Sequence, residues 1–278
     1  MTENSMLLTL DVGNTNTVLG LYRLTPDELI THWRISTLRA QTVDEYGVLL
    51  LSLFAMRKIE ASEVSAIIIA SVVPPLETTL RQVCERYFNV KPMLVEPGIK
   101  TGMPILVDNP AELGADRLAN GVGAFAKYGG PCVVVDFGTA TTFDVVTAKG
   151  EYVGGVIAPG LAISAEALFS RAARLSRVDV KKPAKVVGTN TIAHMQSGLY
   201  YGYIGLVDGI LERMIAEMLD DPRTGGSQPK ILATGGLARL IAEDSRYIST
   251  IDDMLTLDGL RLVFLRNQTA QPSRSRRH

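Results

Sequence analysis

Two short stretches carry the residue types that phosphate chemistry needs. "LLTLDVGNTNTVLGLY" (7–22) and "VVVDFGTATTFDVV" (133–146) share one plan: an apolar run, Asp-x-Gly, small polar residues with threonines, then a second apolar run. A tight turn between two strands aims several backbone N–H groups in one direction, and Gly13 and Gly138 leave that backbone unshielded. Asn14, Thr15 and Thr17 in the first turn, and Thr139, Thr141 and Thr142 in the second, add neutral donors. Such loops suit phosphate oxygens. An aspartate beside them would repel phosphate unless a cation lay between, so Asp11 and Asp136 read as partners of Mg²⁺ or another hard cation. Two such hairpins facing one another would grip a polyphosphate between two domains. One copy alone is an ordinary hydrophilic hairpin; the matched second copy carries the reading. "ATGGLA" (233–238) adds Gly235-Gly236 at a strand-to-helix turn, where a flat ring can approach the backbone. A strand rather than a helix follows the first turn, which excludes a Rossmann fingerprint, and the chain has no Walker Gly-Lys-Ser/Thr.

"ELGADRLAN" lies between the two hairpins and places Asp116 and Arg117 at the expected start of a helix. A carboxylate there can serve as the general base that takes a hydroxyl proton during phosphoryl transfer. The neighbouring guanidinium can hold an anionic group through two parallel bonds. Helix-start electrostatics alone would also favour an aspartate at that position.

These residues need elements to hold them. Met6–Leu10, Val18–Tyr22 and Thr31–Ser36 read as three strands. Thr42 and Glu45 form a capping box for a helix from Val43 to Arg57, with Tyr46, Leu50, Leu53 and Phe54 on one face. Ala66–Val72 is a β-branched run typical of a strand buried on both faces, and Pro74-Pro75 opens a helix to Tyr87. Pro92–Val95 is a short strand. Asn109-Pro110 makes a turn before a helix carrying Leu118, Val122 and Phe125, which Gly129-Gly130 stops. The second half repeats the order: Cys132–Asp136, Phe143–Val146 and "EYVGGVIAPGL" as strands, then a helix over 162–175. A long helix starts at Thr191, with Ile192, Met195, Leu199, Tyr203, Leu206, Ile210 and Met214 as its apolar row. "KILATGGLARLIAE" gives strand, turn and helix, and 258–267 a last helix. The fold class is therefore α/β, two similar halves each with a mixed sheet flanked by helices. The expected domains are 1–118 and 119–267, followed by a disordered tail over 268–278.

Composition narrows the function class. A net charge of −1 over 278 residues gives no general attraction to nucleic acid, and no basic helix is present. Arg274, Arg276, Arg277 and His278 read as a tail rather than a binding arm. Cys84 and Cys132 read as small buried hydrophobes, with no Cys/His pattern for zinc. The first residues do not read as a signal peptide and no apolar run is long enough to span a bilayer, so the expectation is a cytoplasmic protein without membrane partners. Trp33 and Arg34 read as core packing and a surface pair. His32 and His194 are isolated, although His194 follows Thr191 by about one helical turn. Gly198, Gly202, Gly205 and Gly209 recur at spacings that permit close helix–helix contact, which suggests a homodimer face.

The hairpin pair and the Gly-Gly turn resemble the actin, hexokinase and Hsp70 superfamily of duplicated, ribonuclease-H-like domains with an ATP cleft between them. More specifically, "DVGNTNTVLGLY", "WRIST", "TVDEYG", "NPAELGADRLAN", "VVVDFGTATTFDVV", "GGVIAPG", "VGTNT", "MQSG" and "ATGGLA" resemble, in order and over nearly the whole chain, the type III pantothenate kinases. The resemblance implies that Asp11, Val12, Gly13, Asn14, Thr15, Asn16, Thr17 and Val18 bind the ATP phosphates, with Asp11 near Mg²⁺. It implies that Thr139 contacts ATP, with Gly235 and Gly236 at the adenosine. Gly114, Ala115, Asp116 and Arg117 would bind pantothenate, with Asp116 as proton acceptor, and Asp136 would bind K⁺ or NH₄⁺. Thr191 would contact pantothenate at a site formed at a homodimer interface. Val107 would also line the pantothenate site, at a position where family members often carry an aromatic residue, so the resemblance does not carry substrate stacking over to it. The implied reaction gives 4′-phosphopantothenate from pantothenate and ATP. The rival readings are another kinase of the superfamily, acting on a sugar or carboxylic acid, and a non-enzymatic nucleotide-binding regulator or filament protein.

Overall fold

A computed structural model describes residues 5–172, 175–224 and 226–268. The chain divides into two compact units, one of residues 1–102, 109–123 and 256–278, the other of residues 103–108 and 124–255. The basic tail lies outside the described residues from 269 onward.

The first unit is built on strands β1 (Met6–Val12), β2 (Asn16–Leu24), β3 (Asp27–Ser36), β4 (Val64–Ser71) and β5 (Met93–Leu94). They form one sheet in the order β3-β2-β1-β4-β5. β1 pairs antiparallel with β2 and parallel with β4. That places β1 in the middle, which explains why its residues are apolar on both faces. Helices α1 (Val43–Met56) and α2 (Pro74–Phe88) cover one face. Tyr46, Leu50 and Phe54 of α1 and Leu80, Val83 and Phe88 of α2 pack on Leu8, Leu10, Leu19 and Ile67. Trp33 stacks on Phe54 with ring centroids 5.2 Å apart, so it is core, as expected. Thr42 and Glu45 make the full capping box that starts α1. Helix α7 (Leu255–Gln268), the last described element, also belongs here: the Tyr22 hydroxyl donates to Asp258 Oδ1 at 2.9 Å.

The second unit repeats the plan. Strands β6 (Cys132–Phe137), β7 (Ala140–Val146), β8 (Tyr152–Pro159), β9 (Lys230–Gly235) and β10 (Thr250–Ile251) follow the order β10-β9-β6-β7-β8. Read from the other edge, this is the order of the first sheet. β6 is antiparallel to β7 and parallel to β9. The flanking helices include α4 (Leu161–Arg171), α5 (Thr191–Asp220) and α6 (Ala238–Ala242). Helix α3 (Ala115–Tyr128) begins in the first unit and ends in the second.

Several details differ from the sequence reading: β3 starts at Asp27 rather than Thr31, and α7 at Leu255 rather than 258. Helix α4 stops at Arg171, before the expected end at 175. The two-residue strand β10 was not anticipated. Helix α5 starts at Thr191 as expected, and of its expected row Met195, Tyr203 and Met214 are buried, beside Tyr200, Ile204, Val207, Leu211 and Met218. Leu199, Leu206 and Ile210 are only partly buried against the core, and Ile192 is exposed. Both cysteines are buried and free.

Candidate active site

The two Asp-Gly turns occupy equivalent places. Asp11 is the penultimate residue of β1, paired with Val18 on one side and Ala70 on the other. Asp136 is the penultimate residue of β6, paired with Thr142 and Thr234. Each carboxylate thus leaves the carboxyl end of a central strand, where the hairpin and crossover connections diverge. Open α/β sheets bind ligands at that position.

The turns differ in detail. In the first, the Gly13 N–H donates to the Asn16 carbonyl at 3.0 Å, and Asn14, Thr15 and Asn16 are exposed. Thr17 is buried, and its hydroxyl pairs with that of Thr37 at 2.9 Å. In the second turn, the Gly138 N–H donates to the Ala140 carbonyl at 3.1 Å. The Thr141 hydroxyl is buried against the Tyr203 hydroxyl, and the Thr142 hydroxyl donates to Asp144 at 3.1 Å. The side-chain hydroxyls of Thr17, Thr141 and Thr142, expected to face a ligand, are therefore engaged inside the protein. The tips present backbone amides together with the exposed Asn14 and Thr15 and the partly exposed Thr139.

The structure brings the Gly-Gly turn to the second aspartate. Gly235 has φ +92°, and a Cβ there would fall 2.7 Å from Asp136 Oδ1 and from the Phe137 backbone N and O. Gly236 is exposed beside it. Carboxylate and carbonyl oxygens in close array suit a hard cation. Among the described residues no group of three or more His, Cys, Asp or Glu forms a metal cage. Single carboxylates at Asp11 and Asp136 fit cations whose remaining ligands are phosphate oxygens, carbonyls and water.

Asp116 sits in the first turn of α3, where its Oδ1 accepts the Arg117 N–H at 2.8 Å. A Cβ on Gly114 would lie 2.5 Å from that oxygen, so glycine makes room for the carboxylate to curl over the helix start. One turn on, buried Asn120 accepts the Thr256 hydroxyl at 2.7 Å. Gly259 of α7 packs so closely that a Cβ would meet the Ala119 carbonyl at 1.9 Å. The helix start is thus fixed in place. Burial raises the Asp116 carboxyl above its ordinary 3.8, and the Arg117 amide and guanidinium offset only part of this. A poorly hydrated carboxylate on a fixed helix start is suited to accepting a proton.

Thr191 is the first residue of α5, exposed, behind the cap formed by Asn190 Oδ1 and the Ala193 N–H at 2.9 Å. His194 Nε2 lies 3.1 Å from the Gly188 carbonyl, which gives it a local role in the loop before α5. Val107 is partly buried on the segment after Ile105, which bridges to Tyr152 of β8. The sequence reading missed the segment after β3. There the Thr37 N–H donates to the Thr15 carbonyl at 2.9 Å, and Arg39 donates to Asn14 Oδ1 at 2.8 Å. The register of β3 on β2, with Ser36 opposite Asn16, returns the chain to the turn.

Two repeated mixed sheets, each with an Asp-Gly hairpin at its central strand, define the actin- and hexokinase-like α/β class. Solved structures share this fold. A protein from Campylobacter jejuni described as a Baf family transcriptional activator aligns with TM-score 0.58 at 18% identity, over 94% of this chain and 99% of that one. One from Sinorhizobium meliloti described as a 2-dehydro-3-deoxygalactonokinase gives 0.53 at 12%, over 95% and 98%. Sequence comparison is more specific. The family model described as type III pantothenate kinase matches residues 7–213. The type III pantothenate kinase of Koribacter versatilis is 63% identical over 98% of this chain and 99% of its own length. The chain belongs to the type III pantothenate kinase family.

Proposed function

We propose that this protein transfers the γ-phosphoryl group of ATP to the primary hydroxyl of pantothenate, the first step of coenzyme A biosynthesis. The observation that carries the reading is the match to type III pantothenate kinases over nearly the whole chain, with Asp116 held at the start of α3 by the Arg117 N–H. The substrate hydroxyl gives its proton to Asp116 as its oxygen attacks the γ-phosphorus. The bond from that phosphorus to the β–γ bridging oxygen breaks, and ADP departs. Such transfer depends on positioning and charge neutralisation more than on covalent catalysis.

The remaining assignments follow the geometry and the family resemblance. Residues 11–18 bind the ATP phosphates through the exposed tip, with Asp11 toward Mg²⁺. Thr139, Gly235 and Gly236 contact the nucleotide. Asp136 holds K⁺ or NH₄⁺, supported by the oxygen-rich corner at Gly235. Bound cations neutralise phosphate charge. Gly114 to Arg117, Val107 and Thr191 contact pantothenate. A homodimer is supported by the face of α5 where a side chain added at Gly198, Gly202 or Gly205 would meet nothing within 4 Å. No described helix is long and apolar enough to cross a membrane. We place the reaction in the cytoplasm, where ATP is the available donor.

The test is pantothenate-dependent ADP release, measured with K⁺ and again with Na⁺ in its place. Turnover on pantothenate but not on a panel of sugars, stimulated by K⁺, is the expected result. Nucleotide binding without pantothenate-dependent turnover would overturn the reading.

A further inference from the structure

The two hairpins have an unsolved charge problem. Residues 11–18 and 136–142 contain two aspartates and no lysine or arginine. A polyphosphate arriving at the first turn meets backbone amides, Asn14, Thr15 and a carboxylate. Bound divalent cation offsets part of the ligand's charge, and nothing within the turn itself offsets the rest.

The segment after β3 supplies a cation from outside the turn. Three contacts join the two: the Thr37 N–H to the Thr15 carbonyl, the paired hydroxyls of Thr17 and Thr37, and the Arg39 guanidinium to Asn14 Oδ1 at 2.8 Å. The first two anchor the segment, and the third delivers a positive charge to the exposed tip. Four arginines of this unit, Arg23, Arg81, Arg86 and Arg261, pair with the carboxylates of Glu28, Glu96, Asp44 and Asp27. Arg39 instead rests on a neutral amide oxygen, and both side chains are exposed. A guanidinium held this way keeps its full charge and most of its N–H donors. Exchanging an amide oxygen for a phosphate oxygen replaces a neutral acceptor with a charged one, and charge-assisted bonds are the stronger kind.

We propose that Arg39 is a phosphate ligand of the first hairpin, held in waiting by Asn14 and engaging the nucleotide's polyphosphate when it binds. The proposal rests on reading the first hairpin as the polyphosphate site. It assigns to the loop between β3 and α1 a direct part in nucleotide binding.

The test compares Arg39→Gln, Arg39→Lys and Asp11→Asn with the parent protein, using ATP with Mg²⁺. A charge-assisted bond lost on binding corresponds to about 10- to 100-fold in affinity. Arg39→Gln is expected to lower kcat/KM for ATP by that factor, while the pantothenate KM and the Tm stay at parental values. Arg39→Lys is expected to recover part of the loss, because it keeps the charge and loses the planar fork. Nucleotide affinity of Arg39→Gln is also expected to depend less steeply on salt than that of the parent. If Asp11→Asn impairs ATP use and Arg39→Gln matches the parent, the role of Arg39 is overturned and the hairpin reading stands. If neither variant affects ATP use, the hairpin reading falls and takes the proposal with it. If Arg39→Gln lowers the Tm and both substrates' constants together, Arg39 is structural and the proposal is overturned.

Discussion

Replacing Asp116 with asparagine separates the proton-accepting role of this side chain from its structural one. The amide is close to the carboxylate in shape, and its oxygen can still accept the Arg117 N–H that Asp116 Oδ1 accepts at 2.8 Å. The helix start and the nucleotide site should survive, but the amide cannot take a proton. Loss of a positioned base costs about 10²–10⁴-fold in rate, which corresponds to about 3–5 kcal/mol of barrier. Steady-state ADP release should show that loss in kcat, with ATP binding unchanged in a titration. The raised pKa gives two further signatures. Parental kcat/KM should fall on the acid side with a midpoint above the ordinary carboxylate value of 3.8, and the variant should lack that limb. Stability should run the opposite way. A group with a raised folded pKa favours the protonated form, so its contribution is complete below the unfolded pKa and is lost as pH rises through the folded one. At neutral pH the parent carries a poorly hydrated charge, and the variant should melt at the same temperature or higher. As pH falls toward 3.8 that advantage should vanish. Parental turnover in a purified Asp116→Asn protein would refute the assignment, and so would an unchanged acid limb.

Gly114→Ala should disturb chemistry more than folding. Its Cβ would sit 2.5 Å from Asp116 Oδ1, the end of a side chain that can rotate away; kcat should fall severalfold or more while the Tm barely moves. Gly235→Ala should do both. It forces an alanine to φ +92° and a clash with the Phe137 backbone at 2.7 Å, so a urea midpoint corresponding to a loss of about 1–3 kcal/mol is expected. Stimulation by K⁺ should weaken in parallel. Burial pushes the Cys84 and Cys132 thiols up to about 12; at pH 8 the native protein should resist a thiol reagent that labels the urea-unfolded chain fully. Fast labelling of the native protein would show that the two are not held as buried thiols.

Local signals carried the fold far. The capping box of Thr42 and Glu45 lies within one helical turn, so residue identities alone define it. The run "CVVVDF" announces a strand buried on both faces, and the repeat of the Asp-Gly plan announces the second sheet. What was not legible depends on tertiary packing. Along α5 two apolar rows run side by side at helical spacing, and the sheet decides which is covered. It takes Tyr200, Val207 and Leu211 and leaves Leu199, Leu206 and Ile210 only partly covered. Thr250–Ile251 has no periodicity of its own and is a strand only because it lies along β9. Nothing in "LTLDGLRLVFLRNQ" says that α7 belongs with the first sheet. In the site, Thr17 and Thr141 were legible as residues but not as engaged ones, because Thr37 and Tyr203, which occupy their hydroxyls, come from distant segments. Arg39 was hidden for the same reason: its place at the turn is set by the register of β3 on β2.

The two hairpins are copies in topology and not in chemistry. Both aspartates leave the same position of a central strand. The first turn, however, ends in three exposed polar residues with a guanidinium lying against Asn14. The second is shorter, has Thr141 and Thr142 bonded within the protein, and sets its aspartate against Gly235 of a neighbouring strand. Exposed amides and an available cation favour an anion. A carboxylate among carbonyl oxygens favours a cation. Both tips keep an aspartate, and the first adds a guanidinium. On the proposed assignment, phosphates at the first hairpin and a monovalent ion at the second, exchanging the two tips should abolish pantothenate-dependent ADP release while the Tm holds.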